Sequence, residues 1–310
     1  MYFQLLKYLG SQTNLQGCQA IIVGLPYDGT ASHRRGSRFA PNAIRTASVW
    51  NLETYDPMFD GDLAAFSYCD EGDLMEAASG SIEDYLHQER LALAKLPQNI
   101  PVVAFGGEHS ITLPLVELAL RRNPELALII IDAHTDLRDS YDNTHFSHAC
   151  ITRRLVDLIG AERIALFGVR SGTREEFSFA RKHQMLHELT PESINVMLER
   201  LGNRPLYLSI DLDAFDPMEA PGTGTPEPGG IHWCDLAGLL LKLHSRCIIG
   251  ADLVELVPDL DHSNRSSILA ARIVRAVLLQ VLRSSHAENK TKDIEQQDRN
   301  ARCDRQGHQP

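Results

Sequence analysis

With 310 residues, 43% hydrophobic and 23% charged, the chain has the makeup of a soluble globular protein, built as one large domain or two small ones. A formal net charge of −11 argues against nucleic acid or an anionic membrane as the main partner, because both reward basic surfaces. No stretch approaches the roughly 18 consecutive apolar residues of a membrane span, and residues 1–18 lack the basic flank, long apolar run and small-residue cleavage site of a secretory signal.

Along the chain a short apolar run, a turn and a longer amphipathic segment recur. The strand candidates are AIIVGL from Ala20, PVVAFGG from Pro101, LALIIID from Leu126, RIALFGV from Arg163, PLYLSID from Pro205 and CIIGADLVEL from Cys247. The helix candidates are SITLPLVELALRR, with Ser110 as its expected N-cap, HACITRRLVDLIG from His148, PESINVMLERL from Pro191 and DLAGLLLKLH from Asp235. A longer one runs from Ser266 to Arg283. Strands apolar at nearly every position are buried on both faces. The expected fold is therefore α/β: a doubly wound, mostly parallel sheet with helices on both faces, its binding sites beyond the strand carboxyl ends.

Residues 52–80 are acidic and turn-rich and read as a long excursion within the domain. From Ser284 the composition turns polar, so residues 1–283 are expected to form a single catalytic domain and 284–310 a disordered tail. The six cysteines, Cys18, Cys69, Cys150, Cys234, Cys247 and Cys303, are scattered without a CxxC pair. That usage predicts reduced thiols and a cytoplasmic location.

Three strand ends carry chemistry: FGGEHS around His109, IDAHTD around Asp132, His134 and Asp136, and SIDLD around Asp211 and Asp213. Side chains two apart on an extended chain point the same way. If the strands persist, Asp132, His134 and Asp136 converge, as do Asp211 and Asp213. Each cluster alone has a plain reading as turn or capping chemistry. Turn chemistry does not explain why all three fall at carboxyl ends of buried strands. Buried, unpaired carboxylates would repel one another and take up protons, a cost that two divalent cations remove. Oxygen-rich ligation with some imidazole and no thiolate favours Mn²⁺, Mg²⁺ or a related ion over structural zinc.

Together with PYDGTASHRRGSRFAPNAIR (residues 26–45), LETYDP, GGEHSITLP, FSHACITRR, GVRS, SIDLDAFDP, APGTGTPEPGG and LVELVPDLD, these motifs resemble the ureohydrolase family of arginases and agmatinases, most closely the agmatinase branch, over nearly the whole chain. The resemblance implies an arginase-like three-layer fold and a homo-oligomer, commonly a trimer or hexamer. It also implies two Mn²⁺ ions per chain, with Ni²⁺ or Co²⁺ as alternatives. Carried over by position, Asp132 and Asp211 would bridge the ions, His109 and Asp136 would hold one, and His134 and Asp213 the other. Asp136 would accept a hydrogen bond from the nucleophilic water, Glu255 would hold the guanidinium, and His148 would protonate the leaving amine. Glu108 departs from the aspartate found in many agmatinases and is not expected among the ligands.

The expected reaction is hydrolysis of a small cationic guanidino compound. The leading candidate is agmatine, giving putrescine and urea in polyamine biosynthesis. Arginine, guanidinobutyrate, guanidinopropionate or guanidine would be cleaved by the same chemistry. Asp139 and Asp142 are read as an acidic rim for an amine tail, or as solvated loop charges. Asn143 and Thr144 leave room for a carboxylate-ended substrate. A metal-bound subunit that binds without turnover is the non-enzymatic alternative.

Overall fold

The computed structural model describes residues 6–75 and 80–306. Residues 76–79 of the acidic excursion and 307–310 of the polar segment lie outside that description. In chain order the elements begin with β1 (Ala20–Leu25), α1 (Ala40–Asn51), the hairpin β2 (Tyr55–Asp56) and β3 (Gly61–Asp62), β4 (Tyr68–Asp73), α2 (Ile82–Leu93) and β5 (Val102–Gly106). Next come α3 (Thr112–Arg122), β6 (Ala127–Ile131), α4 (Ile151–Ile159), β7 (Ile164–Phe167), α5 (Arg174–Lys182) and β8 (Leu186–His187). The last are α6 (Pro191–Leu201), β9 (Leu206–Asp211), α7 (Trp233–Lys242), β10 (Ile248–Val254) and α8 (Arg265–Gln306).

Eight strands form one sheet in the order β4-β1-β5-β10-β9-β6-β7-β8, every pair parallel. The period of two in a strand explains the layers. In β6, Ala127, Ile129 and Ile131 join a core with α1, α6, α7 and α8, while Leu128 and Ile130 join a second core with α2, α3 and α4. The fold is the expected doubly wound α/β sandwich of three layers.

Local chemistry sets the helix ends. Thr190 accepts a hydrogen bond from Ser193 N at 3.2 Å and Pro191 opens α6, whereas Thr173 and Glu176 form a reciprocal capping box on α5. Ser110 does not cap α3 as expected. A 3₁₀ turn, His109–Ile111, precedes that helix, and the Ser110 hydroxyl donates to Glu108 instead, at 2.7 Å.

All six apolar strands appear where expected. The edge strands β4 and β8 were not read from the sequence, because an edge strand need not be apolar on both faces. Part of the acidic excursion is therefore sheet. The cysteine expectation also needs correcting: Cys18 and Cys69 are joined in a disulfide with Cα atoms 6.1 Å apart. β4 lies beside β1, which brings the turn before β1 onto Cys69, a proximity that a separation of 51 residues hides. Helix α8 runs through the start of the polar segment at Ser284. Among the described residues no helix is long and apolar enough to cross a membrane.

Candidate metal centre and substrate pocket

Four adjacent strands at the middle of the sheet, β5, β10, β9 and β6, deliver at their carboxyl ends all the predicted site residues except His148, which opens the 3₁₀ turn before α4. Where β5 ends, Gly107 lies so close to the exit of β1 that a Cβ there would sit 1.7 Å from the carbonyl oxygen of Tyr27. The close approach is stitched by Gly107 N donating to Leu25 O at 2.9 Å and Glu108 N to Tyr27 O at 2.7 Å. It leaves His109 fully buried at the head of the 3₁₀ turn. From the next strand, Glu255 N donates to the Gly107 carbonyl at 2.9 Å, and its carboxylate accepts from His109 N at 2.8 Å.

The Asp132, His134 and Asp136 group does converge, but not by continued strand geometry. β6 stops at Ile131, the Asp132 carboxylate accepts from His134 N at 2.6 Å, and Asp136 takes a left-handed φ of 49°. Similarly, Asp211 ends β9 and accepts from Asp213 N at 2.8 Å, which winds residues Leu212–Ala214 into a 3₁₀ turn. Glu255 is also left-handed, with φ 63°. Such conformations cost free energy for residues other than glycine or asparagine and persist where surrounding structure enforces them, commonly at functional sites.

His109 Nδ1 lies 3.0 Å from Asp132, 3.3 Å from Asp211 and 3.4 Å from Asp136, measured to carboxylate oxygens. His134 Nδ1 lies 3.0 Å from Asp213 and 3.7 Å from the other Asp132 oxygen. Two candidate ligand groups result, His109/Asp132/Asp211 and Asp132/His134/Asp213, with Asp132 common to both. Donors held about 2.1 Å from one octahedral ion lie about 3 Å apart, so the spacings suit cations. His109 Nδ1 and Asp132 Oδ2 are buried and face each other at 3.0 Å without a well-formed hydrogen bond, an arrangement that an ion between them would satisfy. Burial and the neighbouring Asp213 and Asp132 hold the Asp211 carboxyl well above the usual range, and burial with Asp132 pushes Asp136 up to about 7. The residues fit a pair of divalent cations.

The cluster floors a cavity of about 300 Å³ whose lining includes His134, Asp136, Arg138, Tyr141, His148 and Glu255. His148 lines the same cavity, its ring edge-on to Tyr141 with ring centres 6.1 Å apart. Burial, then the charges of His109 and His134, draw it down to about 4. His145, three residues before it, is exposed and bonded to the Asp139 carbonyl at 2.7 Å.

Asp139 and Asp142 do not form an acidic rim. Asp139 pairs outside the cavity with Arg154 at 2.9 Å, and Asp142 is an exposed turn residue. Thr144 bonds Glu83 at 2.9 Å, and neither it nor Asn143 lines the cavity. Arg138 and Glu176 are among the charged residues that line the cavity, and the Arg138 guanidinium lies 4.8 Å from the Tyr141 ring centre.

Several working residues escaped attention in the sequence. Arg170, in the GVRS motif, donates to the carbonyls of Gly168, Asp213, Ala214 and Glu227, tying three site loops together. Thr225 donates to Asp213 at 3.2 Å, and Ser209 links His109 Nε2 at 3.0 Å to buried Asp252 at 2.7 Å. Ser209 and Asp252 could have been noticed as polar residues within apolar strands; Arg170 and Thr225 carry no such signal beyond the motifs that hold them.

Comparison with known proteins agrees with this geometry. The arginase family model matches residues 18–280. The agmatinase of Bacillus anthracis is 38% identical over 282 residues, covering 88% of this chain and 95% of that protein. A guanidinobutyrase of Pseudomonas aeruginosa is 32% identical over 300 residues, covering 88% and 89%. Among solved structures, the agmatine ureohydrolase of Thermoplasma volcanium superposes with a TM-score of 0.78 at 34% identity, covering 93% of this chain and 97% of that one. The match in sequence and in fold extends over almost all of the chain, which belongs to the arginase family and is a hydrolase of carbon–nitrogen bonds.

Proposed function

We propose that the protein hydrolyses agmatine to putrescine and urea with two Mn²⁺ ions held by His109, Asp132, His134, Asp136, Asp211 and Asp213. The observation that carries this reading is the pair of donor clusters sharing Asp132, with unpartnered buried donors at their centre and an open cavity above. Once bound, such a pair of ions supplies Lewis acidity that makes water a strong nucleophile at neutral pH.

The remaining work falls to side chains. Glu255 turns its carboxylate into the cavity and matches the planar guanidinium by charge-assisted hydrogen bonds. Asp136 accepts a hydrogen bond from the attacking water and so aims its lone pair. His148, which also lines the cavity, passes a proton to the leaving amine. The balance is simple: RNH–C(NH₂)₂⁺ and water give RNH₃⁺ and urea, so both water hydrogens end on the amine nitrogen.

One observation favours a second substrate. Arg138, on the cavity lining, would attract a carboxylate tail, with Glu176 on the same lining opposing it, and a guanidinobutyrase is among the relatives. Steady-state urea release from the manganese-loaded enzyme, with agmatine, arginine and guanidinobutyrate in parallel, separates the readings. Highest kcat/KM for agmatine supports the first; highest for guanidinobutyrate replaces it with the second. The catalytic unit in this reading is residues 1–283, and it assembles as a trimer or hexamer.

A further inference from the structure

Glu108 and Thr30 belong to none of the roles assigned so far, yet they meet behind His148. Glu108 is fully buried, and its carboxylate is surrounded by donors: Thr30 N at 2.7 Å, Ser110 Oγ at 2.7 Å and the Thr30 hydroxyl. A backbone N–H can only donate, so the Glu108 oxygen facing Thr30 N accepts, and the same carboxylate accepts from the two hydroxyls. The same Thr30 hydroxyl oxygen lies 3.0 Å from His148 N and 3.2 Å from His148 Nδ1.

Counting protons orders the chain. A hydroxyl carries one proton and two lone pairs. If Thr30 gives its proton to Glu108, both lone pairs are left to accept, one from His148 N–H and one from Nδ1–H. The Ser147 hydroxyl, 3.3 Å from Nδ1, is a second possible acceptor of the same proton. Nδ1 is thereby kept protonated, and Nε2 is the nitrogen left to exchange protons.

We propose that Thr30 and Glu108 are positioning residues that fix the tautomer and aim of His148 and stabilise its imidazolium through an intervening hydroxyl. The arrangement parallels the carboxylate of a catalytic triad, with a threonine inserted between acid and imidazole. In the step it serves, Nε2 first takes up one hydrogen of the attacking water; the C–N bond then breaks with its electron pair going to the amine nitrogen, and the Nε2 proton moves to that nitrogen. Nδ1 keeps its own proton throughout.

The inference rests on the reading of His148 as the proton donor, so the test separates the two. Thr30→Val, Thr30→Ser and His148→Asn are compared on agmatine and on an agmatine difluorinated next to the carbon that bears the leaving nitrogen. Fluorination lowers the basicity of the leaving amine, so its departure depends less on an acid. Thr30→Val is expected to lower kcat about 30-fold, a part of the roughly 10²–10⁴-fold that general-acid catalysis supplies. KM and metal content should hold, the deficit should shrink several-fold on the fluorinated substrate, and Thr30→Ser should recover kcat to within about threefold of the parent. Glu108→Gln, whose amide would donate to the Thr30 oxygen and turn its proton toward Nδ1, should resemble Thr30→Val. The inference is overturned if Thr30→Val keeps its kcat while His148→Asn loses it, if the Thr30→Val deficit is equal on both substrates, or if that variant loses metal. Full turnover by His148→Asn overturns the proton-donor reading itself.

Discussion

Replacing Gly107 with alanine is the smallest change that should dismantle the site. The added methyl would start 1.7 Å from the Tyr27 carbonyl oxygen and 2.6 Å from that residue's carbonyl carbon and amide nitrogen, where real Cβ contacts are essentially never under 3.0 Å. The obstacle is backbone, so no side-chain rotation relieves it. Separating the exits of β1 and β5 stretches the bonds from Gly107 N to Leu25 O and from Glu108 N to Tyr27 O, and it moves the carbonyl that holds Glu255 N. Two or three buried hydrogen bonds at about 1 kcal/mol each, with overpacking of about 1–3 kcal/mol, give a loss of about 3–6 kcal/mol. For a chain of this size that lowers Tm by roughly 10 °C. The displaced residues include His109 and Glu255, so manganese content and urea release should fall together. Circular-dichroism melting, metal analysis and turnover on one preparation test this. A Gly107→Ala protein that melts within about 2 °C of the parent and keeps two ions and full activity would refute the reasoning.

Other perturbations separate the roles within the site. Glu255→Gln keeps a group that can accept from His109 N but removes the charge facing the guanidinium; kcat/KM should fall about 30- to 1,000-fold, the kinetic equivalent of about 2–4 kcal/mol, with metal content unchanged. Asp132→Asn removes the carboxylate common to both ligand groups and should bring the stoichiometry to one ion or fewer, abolishing the rise in Tm on manganese addition. A third test concerns stability. Asp261 accepts from Ser263 and Ser266 beside the start of α8, and although burial opposes it, these bonds pull its carboxyl down to about 2. A depressed folded pKa stabilises above the unfolded value near 4 and loses that contribution as pH falls toward 2. Asp261→Asn should therefore cost about 1–2 kcal/mol in urea denaturation at pH 7, and the difference should fade between about pH 4 and pH 2.

The central strands were legible because burial on both faces leaves a dense apolar signature, as in ALIII of β6 and AIIVGL of β1. Edge strand β4, with the sequence YCDEGD, carries no such signature, since pairing on one side and partial exposure relax the demand for apolar residues. The site clusters were legible because carboxylates and histidines stand directly at the ends of those runs. How they converge was not: the left-handed turn at Asp136 and the 3₁₀ turn after Asp211 depend on backbone bonds that the spacing of two does not encode. The rim shows the same limit. Asp139 and Arg138 are neighbours in sequence, and only the pairing of Asp139 with Arg154 decides which of them faces the cavity. The Cys18–Cys69 pair and the meeting of Thr30 with Glu108 join segments 51 and 78 residues apart, contacts that follow from β1 lying between β4 and β5.

The most direct test of the binuclear site is an anomalous-difference map from crystals grown with Mn²⁺, collected at the manganese edge. Two peaks about 3.5–4 Å apart are expected, one among His109, Asp132 and Asp211 and the other among Asp132, His134 and Asp213. A single peak there, or none, would contradict the account.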